Sequence, residues 1–227
     1  MTAPVDFDDY TEDYNRLLKE KTQFFSSSEV YFAQYKVDIV RHRAPARVKR
    51  LLEFGCGIGR NIPFLQQAFP QATIVGSDIS PGSLEQARAD NPGITFIEDD
   101  GTPAEMGQFD VIFVAGVYHH SPPAQRDLVT AVIRDRLAPG GVLFVFEHNP
   151  YNPVTQRIVS TCPYDADAVL LKPAELIGRL RASGLAVERK QYCLFIPPSL
   201  PALLPLERTL GWLPLGGQYW VQARRPV

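Results

Sequence analysis

Cysteine is scarce in this sequence, with three residues, Cys56, Cys162 and Cys193, spread along 227 positions. An odd number of scattered cysteines builds no disulfide framework, so this usage indicates a reducing compartment, the cytoplasm. Their spacing is also unlike that of a metal site. The acidic N-terminus has no apolar core of the kind found in signal peptides, and no apolar run reaches the length of a membrane span. We therefore expect a cytoplasmic protein without a membrane partner.

The chain also carries little net charge, formally −2 at pH 7. Proteins that bind nucleic acid or an anionic membrane usually present a strongly basic surface, so neither partner is expected here. A chain of this length can bury one substantial core, and we therefore expect one domain with elaborations.

A glycine-rich turn follows the first predicted strand, in the segment 51–61. Gly55 would permit a tight turn, Gly57 would let a ligand approach bare backbone, and Gly59 would let the following helix pack near the strand. Asp78 closes the next apolar strand, where a carboxylate can accept hydrogen bonds from both hydroxyls of an adenosine ribose. Strand, turn, helix, strand and acid in this order predict a site for a nucleotide-like cofactor.

Apolar strand patterns alternate with helical patterns along the chain. Strands are predicted over residues 48–54, 72–77, 94–97, 109–115, 142–147, 187–196 and 218–224. Helices are predicted over 10–20, 29–43, 61–69, 80–88, 123–137 and 172–183. Seven strands interleaved with helices predict an α/β fold with a doubly wound, mostly parallel sheet. In such sheets ligands bind beyond the carboxyl ends of the strands.

Several motifs between residues 48 and 147 occur in a fixed order. They are Glu53-x-Gly55-x-Gly57-x-Gly59, the acid Asp78, the site around Asp100, the strand 109–113 and the Leu-Ala-Pro-Gly-Gly turn at 137–141. Together they resemble the class I S-adenosylmethionine-dependent methyltransferase superfamily. More narrowly, the segments 31–36 and 146–155 resemble a bacterial subgroup with small-molecule targets, which does not define a substrate.

The resemblance implies a single methyltransferase domain over residues 1–227, with a Rossmann-like fold. Residues 1–46 would form an N-terminal helical cap that acts as a lid, and residues 47–147 the cofactor-binding core. Residues 148–227 would supply lid segments on the substrate side and the C-terminal strands. Of these, the Pro-rich stretch 197–217 could close the pocket, form a homodimer contact or cover the sheet edge.

The resemblance also implies roles for individual residues. The glycine turn would face the methionine part of S-adenosylmethionine, with Glu53 near its ammonium. Asp78 would hold the ribose, and Ile79 would lie against the adenine. Ala115 would line the pocket of the sulfonium. Lys36 could pair with the cofactor carboxylate or with a substrate acid, or it could be solvated.

Recognition of the adenine amino group is implied at the end of the third strand. Asp100 would accept its hydrogen bond, and Gly101 would offer a backbone N–H to the ring. Asp99 takes the place of Asp100 if the alignment of this strand is shifted by one residue.

Three of the four histidines follow the fourth and fifth predicted strands: His119, His120 and His148. A neutral histidine near the sulfonium could accept a proton from an attacking hydroxyl or amine, and Glu147 is a further candidate. A purely structural role stays open for each of them. These residues could also hold a divalent metal, but their spacing is not compact and the resembled family mostly works without metal, so none is expected.

The resemblance predicts methyl transfer from S-adenosylmethionine, with S-adenosylhomocysteine as product. The acceptor would be O, N or C of a small bacterial metabolite, such as a secondary-metabolism intermediate or a sugar. One alternative is a cofactor-binding protein without methyl transfer, acting as a regulator or a rearrangement catalyst. A less favoured alternative is an NAD-dependent dehydrogenase, against which stands the Gly-x-Gly-x-Gly spacing in place of Gly-x-Gly-x-x-Gly.

Overall fold

The computed structural model describes residues 25–26, 30–99 and 106–227, and a sheet of seven strands runs through it. The strands are β1 (Arg50–Phe54), β2 (Thr73–Asp78), β3 (Thr95–Glu98), β4 (Phe109–Ala115), β5 (Leu137–His148), β6 (Ala186–Cys193) and β7 (Gln218–Arg224). Their order across the sheet is β3-β2-β1-β4-β5-β7-β6. β1 to β5 pair in parallel, and β7 is antiparallel to both of its neighbours. The predicted doubly wound, mostly parallel sheet is confirmed.

Helices cover both faces of this sheet. In the described part of the chain they are α1 (Tyr31–Arg41), α2 (Ile62–Ala68), α3 (Pro81–Asp90), α4 (Arg126–Arg136), α5 (Pro153–Ser160), α6 (Pro173–Ala182) and α7 (Glu207–Leu210). Apolar side chains of α1, α2 and α3 belong to one hydrophobic cluster, and those of α4 and α6 belong to a second. Strand β4 joins the two clusters because successive side chains of a strand point to opposite faces.

The alternation is clear in β4 itself. Val111 and Phe113 pack in the cluster with α1 to α3, whereas Ile112 and Val114 pack in the cluster with α4 and α6. All four side chains are completely buried. A strand buried on both faces must be apolar throughout, which is the pattern that predicted it.

The Pro-Gly-Gly segment differs from the prediction. It was expected to precede a strand that starts at residue 142, but β5 begins at Leu137 and contains the segment as an irregularity in its pairing with β4. Gly140 has a φ of +77°, and a Cβ on Gly141 would lie 2.8 Å from the Ala138 carbonyl oxygen. The two glycines therefore bend a continuous strand, since no larger residue fits there without strain.

The segments expected to act as lids are partly described. The helix predicted over residues 10–20 lies outside the described residues, and the helix predicted over 29–43 is α1. The segment 149–171 contains α5, a helix that was not predicted. Its signal is present, because Asn152 accepts hydrogen bonds from the N–H groups of Val154 and Thr155, and Pro153 occupies the first helical position. Among the described residues, the helices are all too short or too polar to cross a membrane.

Candidate active site

A cavity of about 590 Å³ lies beyond the carboxyl ends of the parallel strands. Its walls come from the loops that follow β1, β2 and β4, from the end of β5 and from α1 and α5. This is the place where open parallel sheets bind ligands, since loops diverge there around the reversal of strand order between β1 and β4.

The glycine turn after β1 forms part of the cavity wall. Gly55, Gly57 and Gly59 all have positive φ angles, at +70°, +51° and +76°. A Cβ on Gly55 would lie 2.3 Å from the Val117 side chain, whereas a Cβ on Gly57 would meet no heavy atom within 4 Å. Gly57 lines the cavity, so its bare backbone is open to a ligand.

Gly59 has a packing role, but its neighbour differs from the one expected. A Cβ there would lie 3.2 Å from Ala87 and 2.8 Å from Asn91 Nδ2. The close approach is therefore to α3 and the residue that ends it, and not to α2, the helix that directly follows the turn.

Glu53 is buried beneath the cavity wall. Asn61, which lines the cavity, donates to Glu53 Oε1 at 2.6 Å, while Glu53 Oε2 has no hydrogen-bond partner among the described residues. Burial raises the pKa of Glu53 to about 8. Lys36 lines the same cavity, and burial, aided by the Arg60 charge, lowers its pKa to about 8. An orphaned acceptor at this point suits a ligand with an N–H donor.

Asp78 lies at the end of β2 and holds the glycine turn. Its Oδ2 accepts a hydrogen bond from the Gly57 N–H at 2.7 Å, and its Oδ1 accepts one from the Ser80 N–H at 3.0 Å. Burial raises the pKa of the carboxyl group. Both Asp78 and Ile79 line the cavity, and Ile79 is 63% exposed, an apolar side chain without a protein cover. The Ile79 N–H also hydrogen-bonds to this carboxylate, and the acceptor capacity that is left can serve a ligand hydroxyl.

The three residues expected near the adenine amino group have different positions. Asp100 and Gly101 lie outside the described residues, and their roles stay predictions. Asp99, the alternative to Asp100, is buried in a bidentate ion pair with Arg136 and accepts a further hydrogen bond from the Ser77 hydroxyl at 3.3 Å. Asp99 therefore ties β2 and α4 together at the end of β3. Ala115 lines the cavity, and its place beside the sulfonium stays a prediction.

Glu147 is a positioning residue and does not line the cavity, which corrects its place among the catalytic candidates. It is 1% exposed, and its Oε1 accepts hydrogen bonds from the N–H groups of Val117 and Tyr118, at 3.1 and 2.8 Å. Its Oε2 lies 2.6 Å from His119 Nδ1. The carboxylate therefore fixes the loop after β4 and one histidine on it, and it has no oxygen directed to a substrate.

The three histidines lie together at one side of the cavity. The His119 ring lies 4.2 Å from the His120 ring and 4.9 Å from the His148 ring, and all three line the cavity. Burial alone would lower the pKa of His119, but Glu147 and Asp165 raise it to about 9. Burial and the neighbouring His119 lower the pKa values of His120 and His148 to about 4.

Two aspartates from the segment after α5 join this cluster; the sequence left open whether Asp165 and Asp167 face the pocket or cap local turns. Asp165 Oδ1 lies 3.7 Å from His119 Nε2 and 3.4 Å from His120 Nε2, and Asp167 Oδ1 lies 3.2 Å from His120 Nδ1. Asp165 lines the cavity. Nothing in their sequence position reveals a contact with residues more than forty positions earlier.

The Arg126 side chain joins the loop after β4, which carries two of the histidines, to the segment after α5, which carries both aspartates. This side chain is 1% exposed, and it donates to the carbonyl oxygens of Tyr118, Ser121 and Val169 at 3.1, 3.1 and 2.5 Å. The Val169 N–H in turn donates to the His119 carbonyl oxygen at 2.8 Å. A buried arginine is costly unless its N–H groups are paired, so this network fixes the loop after β4 against the segment that carries both aspartates.

Comparison with known proteins agrees with this geometry. A family model described as "Methyltransferase domain" matches residues 52–143. The chain is 35% identical over 168 residues to trans-aconitate 2-methyltransferase of Deinococcus radiodurans, covering 65% of this chain and 64% of that protein. It is 32% identical over 127 residues to the protein of the same name from Methylobacterium nodulans, covering 54% and 48%.

A solved structure, a S-adenosylmethionine-dependent methyltransferase of Archaeoglobus fulgidus, matches 93% of this chain and 100% of that chain with a TM-score of 0.69, at 14% identity. This likeness is one of fold. The chain spans half or less of the length of the first curated relatives that it matches. The matched residues include the glycine turn and Asp78. By its fold, its motifs and the domain match over residues 52–143, the chain is similar to class I S-adenosylmethionine-dependent methyltransferases.

Proposed function

We propose that this chain binds S-adenosylmethionine in the cavity and transfers its methyl group to a small-molecule acceptor. One observation carries the proposal: Gly57, held in a left-handed conformation by Asp78, presents open backbone to a cavity at the carboxyl ends of the parallel strands. When bound, the cofactor supplies a sulfonium-linked methyl group as the electrophile. The residues around the turn fit its other parts.

In this proposal each cofactor contact has a residue of matching chemistry. The orphaned Glu53 Oε2 and the amide of Asn61 receive the ammonium, and Asp78 receives the ribose hydroxyls. Exposed Ile79 lies against the adenine, and the Ala115 side chain, one methyl group in size, leaves room for the sulfonium. Asp100 and Gly101 recognise the adenine edge.

The histidine cluster would form the acceptor side of the cavity. The Nε2 atoms of His119 and His120 both face Asp165, so we assign the general base to His148, whose ring lines the cavity beside them. The acceptor atom is O, N or C, and positioning by the cavity supplies much of the barrier reduction. Lys36 is a cavity cation that can orient an acidic group of the acceptor or of the cofactor.

The acceptor is proposed to be a bacterial metabolite, in cytoplasmic secondary metabolism. The relatives named for trans-aconitate support a small acceptor. In the loop 197–217, Leu215 lines the cavity while Leu206 and Trp212 are exposed, so the loop can both border the pocket and support a homodimer. Light scattering at two protein concentrations tests the dimer.

The test is release of S-adenosylhomocysteine from S-adenosylmethionine in the presence of panels of hydroxylated, amine and carboxylate metabolites. Methyl transfer predicts release that depends on an acceptor and is lost in an Asp78→Ala chain. A chain that binds the cofactor but releases no S-adenosylhomocysteine with any panel would support the regulator or rearrangement alternative. Hydride transfer from a substrate to NAD would support the dehydrogenase.

A further inference from the structure

Two histidine nitrogens converge on one carboxylate oxygen at the wall of the cavity. His119 Nε2 and His120 Nε2 lie 3.7 and 3.4 Å from the same atom, Asp165 Oδ1, and the three ligand atoms lie within 4.8 Å of one another. We infer that His119, His120 and Asp165 form a binding site for a divalent transition-metal ion at the acceptor side of the cavity.

The distances fit an ion better than hydrogen bonds. An ordinary N–H···O bond is about 2.7–3.2 Å long, so the contacts of both nitrogens with Asp165 are long ones, although the contact with His119 still raises the pKa of that ring. An ion bound at about 2.0–2.2 Å by imidazole and carboxylate ligands separates two tetrahedral ligand atoms by about 3.4 Å. The two measured nitrogen-to-oxygen separations of 3.7 and 3.4 Å are close to that value.

The other nitrogen of each ring is bound in the way that metal-ligating histidines usually are. Glu147 Oε2 lies 2.6 Å from His119 Nδ1, and Asp167 Oδ1 lies 3.2 Å from His120 Nδ1. An ionised carboxylate only accepts hydrogen bonds, so it places the proton on Nδ1. In the neutral ring the lone pair is then on Nε2, which faces Asp165, and an ion that binds His119 displaces the proton that Glu147 and Asp165 keep on this ring. A carboxylate behind each histidine fixes the ring and increases its basicity toward a metal.

The ligands come from two segments that the fold holds rigidly against each other. Arg126 donates to carbonyl oxygens on both segments, and the Val169 N–H donates to the His119 carbonyl oxygen. Such support preorganises a metal site, because little movement is needed when an ion arrives. His119 and His120 are adjacent in sequence, and only the fold brings Asp165 to them.

The composition of the site indicates what the ion would do. Two histidines and one carboxylate leave coordination positions free, as in catalytic zinc sites and non-haem iron sites, whereas structural zinc sites are closed by four protein ligands. All three ligands line the cavity, so the free positions face it. An oxygen donor of the acceptor, a hydroxyl or a carboxylate, would bind there. This use in catalysis rests on the proposed function, but binding of the ion does not.

The test is titration of untagged, chelator-treated protein with Zn²⁺ or Co²⁺ alone, followed by calorimetry and, for Co²⁺, by visible absorption. The inference predicts one ion per chain and a Co²⁺ spectrum with nitrogen ligands. His120→Ala and Asp165→Asn should each weaken binding at least about tenfold, and Asp167→Asn about 10- to 100-fold through the orientation of His120. The matched control is His42→Ala, which removes an exposed histidine at the end of α1 whose Nδ1 lies 2.6 Å from the Asp38 carbonyl oxygen.

Two results would overturn the inference: no stoichiometric binding, or equal ion affinity in wild type and Asp165→Asn. The thermal melting curve of each variant shows whether it is folded, and Asp165→Asn keeps the side-chain shape where His120→Ala does not. S-adenosylmethionine is titrated separately. Normal cofactor binding without ion binding would reject the metal site and leave the proposed function intact. Ion binding without cofactor binding would support the metal site and reject the proposed function.

Discussion

Replacing Gly57 by alanine should weaken cofactor binding while it lowers the stability of the fold only slightly. Its φ is +51°, and a Cβ added to it would meet no heavy atom within 4 Å. Gly57→Ala therefore costs only the strain of a left-handed alanine, about 1 kcal/mol. In a domain of about 150–250 residues this lowers Tm by about 2–4 °C. The added methyl group projects into the space proposed for the cofactor.

Gly93 provides the matched control. It also has a positive φ, +87°, and a Cβ there would also meet nothing within 4 Å, but it lies in the turn before β3 and is not part of the cavity wall. We expect Gly57→Ala and Gly93→Ala to lower Tm by similar amounts. S-adenosylmethionine should bind Gly57→Ala at least tenfold more weakly than wild type, a loss of about 1.4 kcal/mol, and should bind Gly93→Ala normally.

Calorimetric titration and thermal melting of the three proteins check this prediction. The reasoning fails if Gly57→Ala binds S-adenosylmethionine with wild-type affinity, because an open backbone at the cavity would then have no contact with the cofactor. It also fails if Gly93→Ala loses affinity to the same extent, because strain alone would then explain the effect.

Three further predictions concern the site. Asp78→Ala should abolish measurable cofactor binding, and equal cofactor affinity of Asp78→Ala and wild type would reject the ribose site. His120→Ala should keep the cofactor affinity of wild type and lower turnover. Arg126→Met should lower the free energy of unfolding, measured in urea, by about 3 kcal/mol or more, because it leaves buried carbonyl oxygens unpaired. The control Arg134→Met, at a half-exposed position, should change this free energy by less than about 1 kcal/mol. The folded-state pKa of Glu53 is raised from 4.5 to about 8, so its contribution to stability is fully present below about pH 4.5 and is lost progressively as pH rises to about 8. The glutamine of Glu53→Gln stays neutral at both pH values. Without cofactor, the Tm of Glu53→Gln should therefore exceed that of wild type by more at about pH 9 than at about pH 6. An equal Tm difference at the two pH values would contradict the raised pKa.

The sheet and the glycine-turn side of the cavity were accessible from the sequence because their determinants are local. A strand buried on both faces, such as β4, must be apolar, and the glycine turn is a contiguous pattern with an acid at a fixed later point. The start of the helix predicted from residue 80 is local as well, because the Ser80 hydroxyl accepts the Ser83 N–H and Pro81 occupies the first helical position. Each of these features follows from residues close together in the chain.

The histidine side of the cavity was less accessible because its determinants are distant in sequence. That Glu147 is occupied by two backbone N–H groups and His119 depends on how β4 and β5 align. The approach of Asp165 to the histidines depends on the packing of a segment that follows α5. Spacing along the chain therefore argued against a metal, whereas spacing in the fold supports the metal site that we infer.

The most direct test of the account is a side-by-side calorimetric titration of the wild-type chain with S-adenosylmethionine, S-adenosylhomocysteine and NAD. The account predicts binding of both sulfur nucleotides at one site per chain and no binding of NAD. Binding of NAD alone, or of none of the three, would contradict the proposed cofactor site.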